Sequence, residues 1–163
     1  MKWVSSSLSL GLCTLCLALA PAWAAEKSPA VLEQEYQKEN NPRKQAEIAR
    51  KLIPQRLEQL RVRIGVGTML DKSSPEPANY QSAVEMLGSA VRLAAHTGTS
   101  KDAEKALRDQ SHELEGLKIQ VSAGERPLID RLLTQVSDLR EELLYGLMLP
   151  PPEQSAEGET AQK

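Results

Sequence analysis

Residues 42–64 read PRKQAEIARKLIPQRLEQLRVRI. Ala46, Ala49, Ile53, Leu57, Leu60 and Ile64 step by three and four residues, so they form one apolar stripe at the helical period. The stretch begins Asn41-Pro42, which supplies an N-cap and a proline at the first helical position, where the missing N–H costs nothing. Pro54 falls inside the pattern. It removes one backbone hydrogen bond and crowds the carbonyl of Arg50, which predicts a kink and not a stop. Gly65 and Gly67 weaken the far end. A helix over about 42–66 follows, and the rest of the chain must supply faces to cover it.

Those faces lie on both sides of it. Ser28-Pro29 opens a short helix, about 29–39, with Val31, Leu32 and Tyr36 on its apolar side. Asp71 to Asn79, DKSSPEPAN, reads as a polar connection with two prolines. Tyr80, Ala83, Val84, Leu87, Ala90, Val91 and Ala94 then predict a helix over 79–96, with Gly98 placed for a left-handed C-cap. Ser100 is the expected cap of a helix over 101–122, striped by Ala103, Ala106, Leu107, Leu114, Leu117 and Val121. Gly124 breaks it. Pro127 opens the last helix, 127–148, with Ile129, Leu132, Leu133, Val136, Leu139, Leu143 and Leu147. No strand alternation or hairpin signal competes. The expected fold is all-α: an antiparallel four-helix bundle-like domain, 25–149, with a short additional N-terminal helix. The other arrangement of the same helices is two hairpins stacked as in a short tetratricopeptide array, although these helices are longer than those of such repeats. No convincing repeat is visible at a solenoid period.

The ends differ from this middle. Lys2, an apolar run over Leu8–Ala20 and Ala22-Trp23-Ala24 are the three parts of a secretory signal peptide. The run is shorter than the ~20 residues that span a bilayer as a helix. Cys13-Thr14-Leu15-Cys16 has the spacing of a redox or metal motif, but it lies inside that run, and cleavage after Ala24 would discard it. The remaining chain would contain no Cys, Trp or Phe, and Tyr36, Tyr80 and Tyr145 would be its only aromatics. Such a core, built from Leu, Ile, Val, Ala and Met, suits close helix packing better than a sandwich. Pro150-Pro151-Pro152 stops the last helix, and the acidic, small-residue sequence to Lys163 predicts a disordered tail over 150–163.

Little of this composition is catalytic. His96 and His112 show neither H-x-x-x-H nor H-E-x-x-H spacing, and Asp109 with His112 is a lone carboxylate–imidazole pair. His96 is placed by the pattern at a helix C-terminus, where positive charge is favoured. Met69, Met86 and Met148 are core fillers more readily than haem ligands. Gly65-Val66-Gly67 has no preceding strand, as a nucleotide fingerprint requires. The expectation is a non-enzymatic protein with no cofactor and no metal.

One electrostatic feature stands apart. Arg43, Lys44, Arg50, Lys51, Arg56, Arg61 and Arg63 crowd into 42–64, opposed by Glu47 and Glu58 alone. Arg43, Arg50 and Arg61 fall on one line of the helix, with Lys44 and Lys51 beside it. Asp138, Glu141, Glu142, Glu153, Glu157 and Glu159 give the C-terminus the opposite bias. The run is either a solvated face met by an acidic neighbour or a docking face for an anionic partner: a lipid surface, a cell-wall polymer or an acidic protein. The absence of aromatics on it speaks against single-stranded nucleic acid. A second copy of the chain is a further partner the pattern allows.

Three segments carry a resemblance: EYQKENNPRKQAEIARKLIPQRLEQL, YQSAVEMLGSAVRLA and LIDRLLTQVSDLREELLYGLMLPPP. Together they resemble a group of uncharacterised exported helical proteins of environmental bacteria. In that group a Glu-x-x-Pro-x-x-Arg-Ala helix start precedes a Tyr-x-x-Ala helix and a closing helix that ends in Leu-rich sequence and proline. The likeness covers most of 30–152 and departs at Pro54 and at the 71–79 connection. It implies an exported all-helical domain and brings no activity and no site residues. The expected function is therefore an exported structural or interaction protein of the bacterial envelope, periplasmic or extracellular, acting through helix faces. The alternative is a periplasmic holdase whose apolar grooves open around Pro54 and Gly65/Gly67. A metal- or haem-binding bundle is the remote third reading.

Overall fold

A computed structural model describes residues 27–67, 69, 70 and 73–149. The signal peptide expected at 1–24 and the tail expected at 150–163 lie outside the described residues. Five helices follow in order: α1 (Pro29–Lys38), α2 (Pro42–Gly65), α3 (Pro75–Ala94), α4 (Thr97–Gln120) and α5 (Arg126–Met148). The domain is all-helical and bundle-like, with the short extra helix at its N-terminal end, as the apolar stripes require.

The stripes become the core. Ala49, Leu52, Ile53 and Leu60 of α2, Tyr80, Val84, Leu87 and Ala90 of α3, Ala103, Leu107, Leu114 and Leu117 of α4, and Ile129, Leu132 and Val136 of α5 are all buried. Each fully buried Leu or Ile stabilises the fold by roughly 1.5–3 kcal/mol relative to exposure. α2 runs unbroken through Pro54, whose ring is exposed on the side away from the core. Asn41 caps α2 as expected, its side-chain oxygen accepting from the Arg43 N–H at 3.0 Å. α1 packs on α2, and the Tyr36 hydroxyl donates to the Met86 carbonyl of α3 at 2.9 Å.

Within the bundle the helices pair in two hairpins. α2 packs most extensively on α3, and α4 on α5. The hairpins then lie side by side, with α2 against α4, α3 against α5, and no packing of α2 on α5 among the described residues. Ion pairs fix the directions. Arg50 meets Asp102 and Arg61 meets Glu113, so α2 and α4 run parallel. Gln135 reaches the Gln81 carbonyl and Arg92 meets Glu142, so α3 and α5 also run parallel. Buried positions repeat accordingly. Ala49, Ile53 and Leu60 recur in α4 as Ala103, Leu107 and Leu114; Tyr80, Val84, Leu87 and Val91 recur in α5 as Leu132, Val136, Leu139 and Leu143. The bundle thus contains the stacked-hairpin pairing. Its repeat escapes a sequence scan because only buried positions match and the period exceeds the ~20–50 residues of familiar repeat arrays.

Three boundaries differ from the sequence reading. α3 begins at Pro75, not near 79, because Pro75 and Pro77 occupy the first turn, where N–H groups have no helical acceptor to lose. α4 begins at Thr97, not 101. His96 is its N-cap, Nδ1 accepting from the Thr99 N–H at 3.4 Å, and Ser100 donates to the His96 carbonyl from inside the first turn. His96 is therefore at a helix start and not at a helix end. The left-handed residue closing α3 is Ala95 (φ 44°, ψ 38°), not Gly98. Gly98 has a different duty: a Cβ there would lie 3.0 Å from the His96 ring.

Glu125, the N-cap residue of α5, was not singled out by any pattern. Its carboxylate accepts from the Ser122 hydroxyl at 2.6 Å, the Leu70 N–H at 2.7 Å and the Ser122 N–H at 3.0 Å. It thereby ties the α2–α3 connection to the α4–α5 turn. The Ser122 hydroxyl bond, then the Leu70 and Ser122 backbone donors, hold the carboxyl below the usual carboxylate range against the opposing effect of burial.

Two predictions follow from these turns. A depressed folded pKa contributes stability above the unfolded value, ~4.3, that is lost as pH falls through the folded one. Glu125→Gln is expected to lower stability at pH 7 by about 1–2 kcal/mol. In urea titrations its deficit against wild type should shrink as pH falls below about 4; a constant deficit would refute the assignment. At Ala95 a left-handed backbone costs an L-residue roughly 1 kcal/mol. Ala95→Gly is expected to raise the urea midpoint and Ala95→Val to lower it.

Candidate basic docking surface

The five cations singled out by the sequence separate into two kinds. Arg50 and Arg61 are engaged: Arg50 with Asp102 at 3.0 Å, Arg61 with Glu58 and with Glu113. Arg43, Lys44 and Lys51 are exposed and enter no ion pair among the described residues. The acids that meet the α2 run come from α4, α1 and α3, through Asp102, Glu113, Glu33 and Glu76. Among the described residues none comes from the C-terminal acidic stretch, here Asp138, Glu141 and Glu142. Glu142 of that stretch instead takes two 2.6 Å bonds from Arg92, which hold its carboxyl below the usual range.

The parallel course of α2 and α4 adds what the sequence did not disclose. Their N-terminal halves lie side by side, joined at Arg50–Asp102. Arg43, Glu47 and Arg50 share a small crevice there with Thr99 and Asp102. On α4, Lys101, Lys105 and Arg108 recur at one-turn spacing, are exposed, and enter no ion pair among the described residues. Six cations, Arg43, Lys44, Lys51, Lys101, Lys105 and Arg108, thus gather at one end of a chain whose formal net charge is −2. Glu47 and Asp109 are the acids left among them. The signal for the α4 trio was its i, i+4, i+7 spacing. Charge counting missed it because Asp102, Glu104 and Asp109 neutralise the same stretch in sequence, while Asp102 and Glu104 are drawn off to Arg50 and Arg140 in space.

The helix termini sharpen the point. Neither α2 nor α4 has an acid in its first turn, and α2 carries Arg43 and Lys44 there. Cations at a helix N-terminus oppose the macrodipole by roughly 0.3–1 kcal/mol each at an exposed site. Stability therefore does not account for their placement.

A second concavity lies at the opposite end of α2. It is an open groove of about 880 Å³ lined by Pro54 and Val62 of α2, by Val66 just past its end, and by the N-terminal turns of α1 and α3. Arg56, bound to Glu33 and Gln59, forms part of its wall. Val62 and Val66 are more than half exposed. Among the described residues no three or more His, Cys, Asp or Glu side chains come together as metal ligands would. His112 lies 3.7 Å from Glu115 on the exposed side of α4. Met86 packs against the core, and Met69 and Met148 are exposed. No described helix is long and apolar enough to cross a membrane.

No protein-family model, curated protein or solved structure matches the chain. The resemblance to exported helical proteins rests on its three segments alone.

If the first-turn cations of α2 are held for binding, removing one should not weaken the fold. Lys44→Glu is expected to leave the urea midpoint unchanged or raise it, by up to about 1 kcal/mol in stability. A clear loss would mean that Lys44 is structural.

Proposed function

We propose that this protein is an exported, non-enzymatic interaction protein of the bacterial envelope that docks an anionic surface on the N-terminal halves of α2 and α4. The observation that carries this is the gathering of Arg43, Lys44, Lys51, Lys101, Lys105 and Arg108 on one exposed surface, the first two of them against the α2 dipole. Arg50 and Arg61 support it less directly, each already holding an acid of α4. The N-terminal sequence supports export, since its three parts are those of a signal peptide ending at Ala24. The chemistry asks for a partner presenting many negative charges in a plane or along a polymer. Such attraction is non-directional, and its range is set by the ~8–10 Å screening length at ordinary salt. Anionic phospholipid headgroups and anionic wall polymers both qualify.

The groove beside Pro54 favours one second reading, a holdase that shelters apolar segments of unfolding proteins on Val62 and Val66. One set of measurements separates the two. Wild type should co-sediment with phosphatidylglycerol–phosphatidylcholine vesicles at low salt, and release as salt rises. The triple variant Lys44→Glu, Lys51→Glu, Lys105→Glu should bind at least about 100-fold more weakly, at ~1 kcal/mol for each lysine lost and more for the charge reversal. Absence of vesicle and wall-polymer binding at low salt would overturn the docking proposal. Suppression of a client's light scattering that survives in the triple variant would select the groove instead.

A further inference from the structure

The described chain stops beside the surface just proposed. α5 runs antiparallel to α4, Lys118 pairing with Asp130 and Arg140 with Glu104. Leu149, which follows α5, is therefore at the end of the molecule that carries the first turns of α4 and, through Arg50–Asp102, of α2. The sequence beyond it, PPPEQSAEGETAQK, holds Glu153, Glu157 and Glu159 against Lys163 and has no large apolar side chain. Fully extended, this segment spans about 45 Å. Packed helix axes lie about 8–10 Å apart, so α4 and then α2 fall well within its reach.

We propose that the acidic segment 150–163 docks on the α2–α4 basic surface of its own chain and competes there with the anionic partner. The proposal rests on the docking surface described above, but its first readout needs no outside partner. Complementary charge selects the occupant: three carboxylates meet six cations that no described acid engages in an ion pair. Tethering favours the tail over the tail of another copy, because a short linker supplies an effective concentration in the millimolar range. The contact is electrostatic and therefore salt-labile. A partner presenting a denser array of charge displaces the tail, so the tail sets a threshold for docking and excludes weakly charged surfaces.

Zero-length carbodiimide cross-linking of the full chain at low salt, with mass spectrometry of the monomer fraction, tests the contact. Cross-links should join Glu153, Glu157 or Glu159 to Lys44, Lys51, Lys101 or Lys105, and should fade at high salt. Tail cross-links confined to Lys27 and Lys118, at the opposite end, or spread evenly over all lysines, would overturn the proposal. Competition is read from vesicle binding. The variant Glu153→Gln, Glu157→Gln, Glu159→Gln, and a chain ending at Leu149, should both bind phosphatidylglycerol vesicles about threefold to tenfold more tightly than wild type. Unchanged affinity would overturn the competition. Specific cross-links without vesicle binding by any of the three chains would support the tail contact and remove the lipid partner alone.

Discussion

The arrangement of the whole domain depends on a two-residue link. α3 ends at Ala94 and α4 begins at Thr97, with Ala95 and His96 between them. So short a link cannot carry the chain across the molecule. It reverses direction at once, through the left-handed conformation of Ala95, and sets α4 down beside the end of α3. α4 then runs parallel to α2, and α5, folding back on α4, runs parallel to α3. Gly88 of α3 accepts the close approach this demands: a Cβ there would lie 3.1 Å from Leu139 of α5. Short links between successive helices make them alternate in direction, and among the described residues α2 makes no contact with α5.

The same constraint assembles the charged surface. α2 and α4 are separated in sequence by the whole of α3. Only their parallel course puts Arg43, Lys44 and Lys51 at the same end as Lys101, Lys105 and Arg108. An antiparallel pairing of these two helices would set the cations of one beside Glu58 or Glu113 of the other and disperse the field. Arg50–Asp102 and Arg61–Glu113 hold the register between the helices. Their side chains are partly exposed, so each contributes little to stability, within about 1 kcal/mol. Their larger effect is on the surface itself, since they remove two cations and two acids from it and leave the six unengaged cations grouped.

Much of the fold was legible because burial follows period. Of the six α2 positions in the sequence stripe, five are buried and Ile64 packs partly against the core. Where the reading failed, local chemistry had two solutions. Pro75 and Pro77 signal a connection or a first turn with equal force, and only the packing of buried Pro77 and Tyr80 decides for the turn. Gly98 was the obvious left-handed residue, yet Ala95 takes that conformation and Gly98 makes room for a ring. In α4 the stripe falls silent between Leu107 and Leu114, and buried Gln110 and Ser111 fill the gap; Gln110 Oε1 and Ser111 Oγ find no hydrogen-bond partner among the described residues. Glu125 was invisible because its donors come from Leu70 and Ser122, on two different connections. The basic surface was half legible for the same reason: a charge run on one helix can be counted, whereas one made by two helices depends on their direction.

The placement of charge along α2 bears on why these cations are there at all. From Arg56 onward the cations are matched, Arg56 by Glu33, Arg61 by Glu58 and Glu113, Arg63 by Glu76. Before Arg50 they are not, although this is the half where the helix dipole itself repels them. A helix selected for stability alone would show the reverse gradient, with acids in the first turn and free cations near the last. α3 comes closer to that ordinary pattern, with Glu76 in its first turn and Arg92 in its last. α2 departs from it, and so does α5, which starts at the exposed Arg126 with no acid in its first turn, so a first-turn cation is not peculiar to this surface; α2 differs in carrying two such cations, Arg43 and Lys44, beside the unengaged cations of α4. Local rules are broken most often where function asks for it, and the two first-turn cations of α2, which the core does not require, are on that ground a reason to propose binding there.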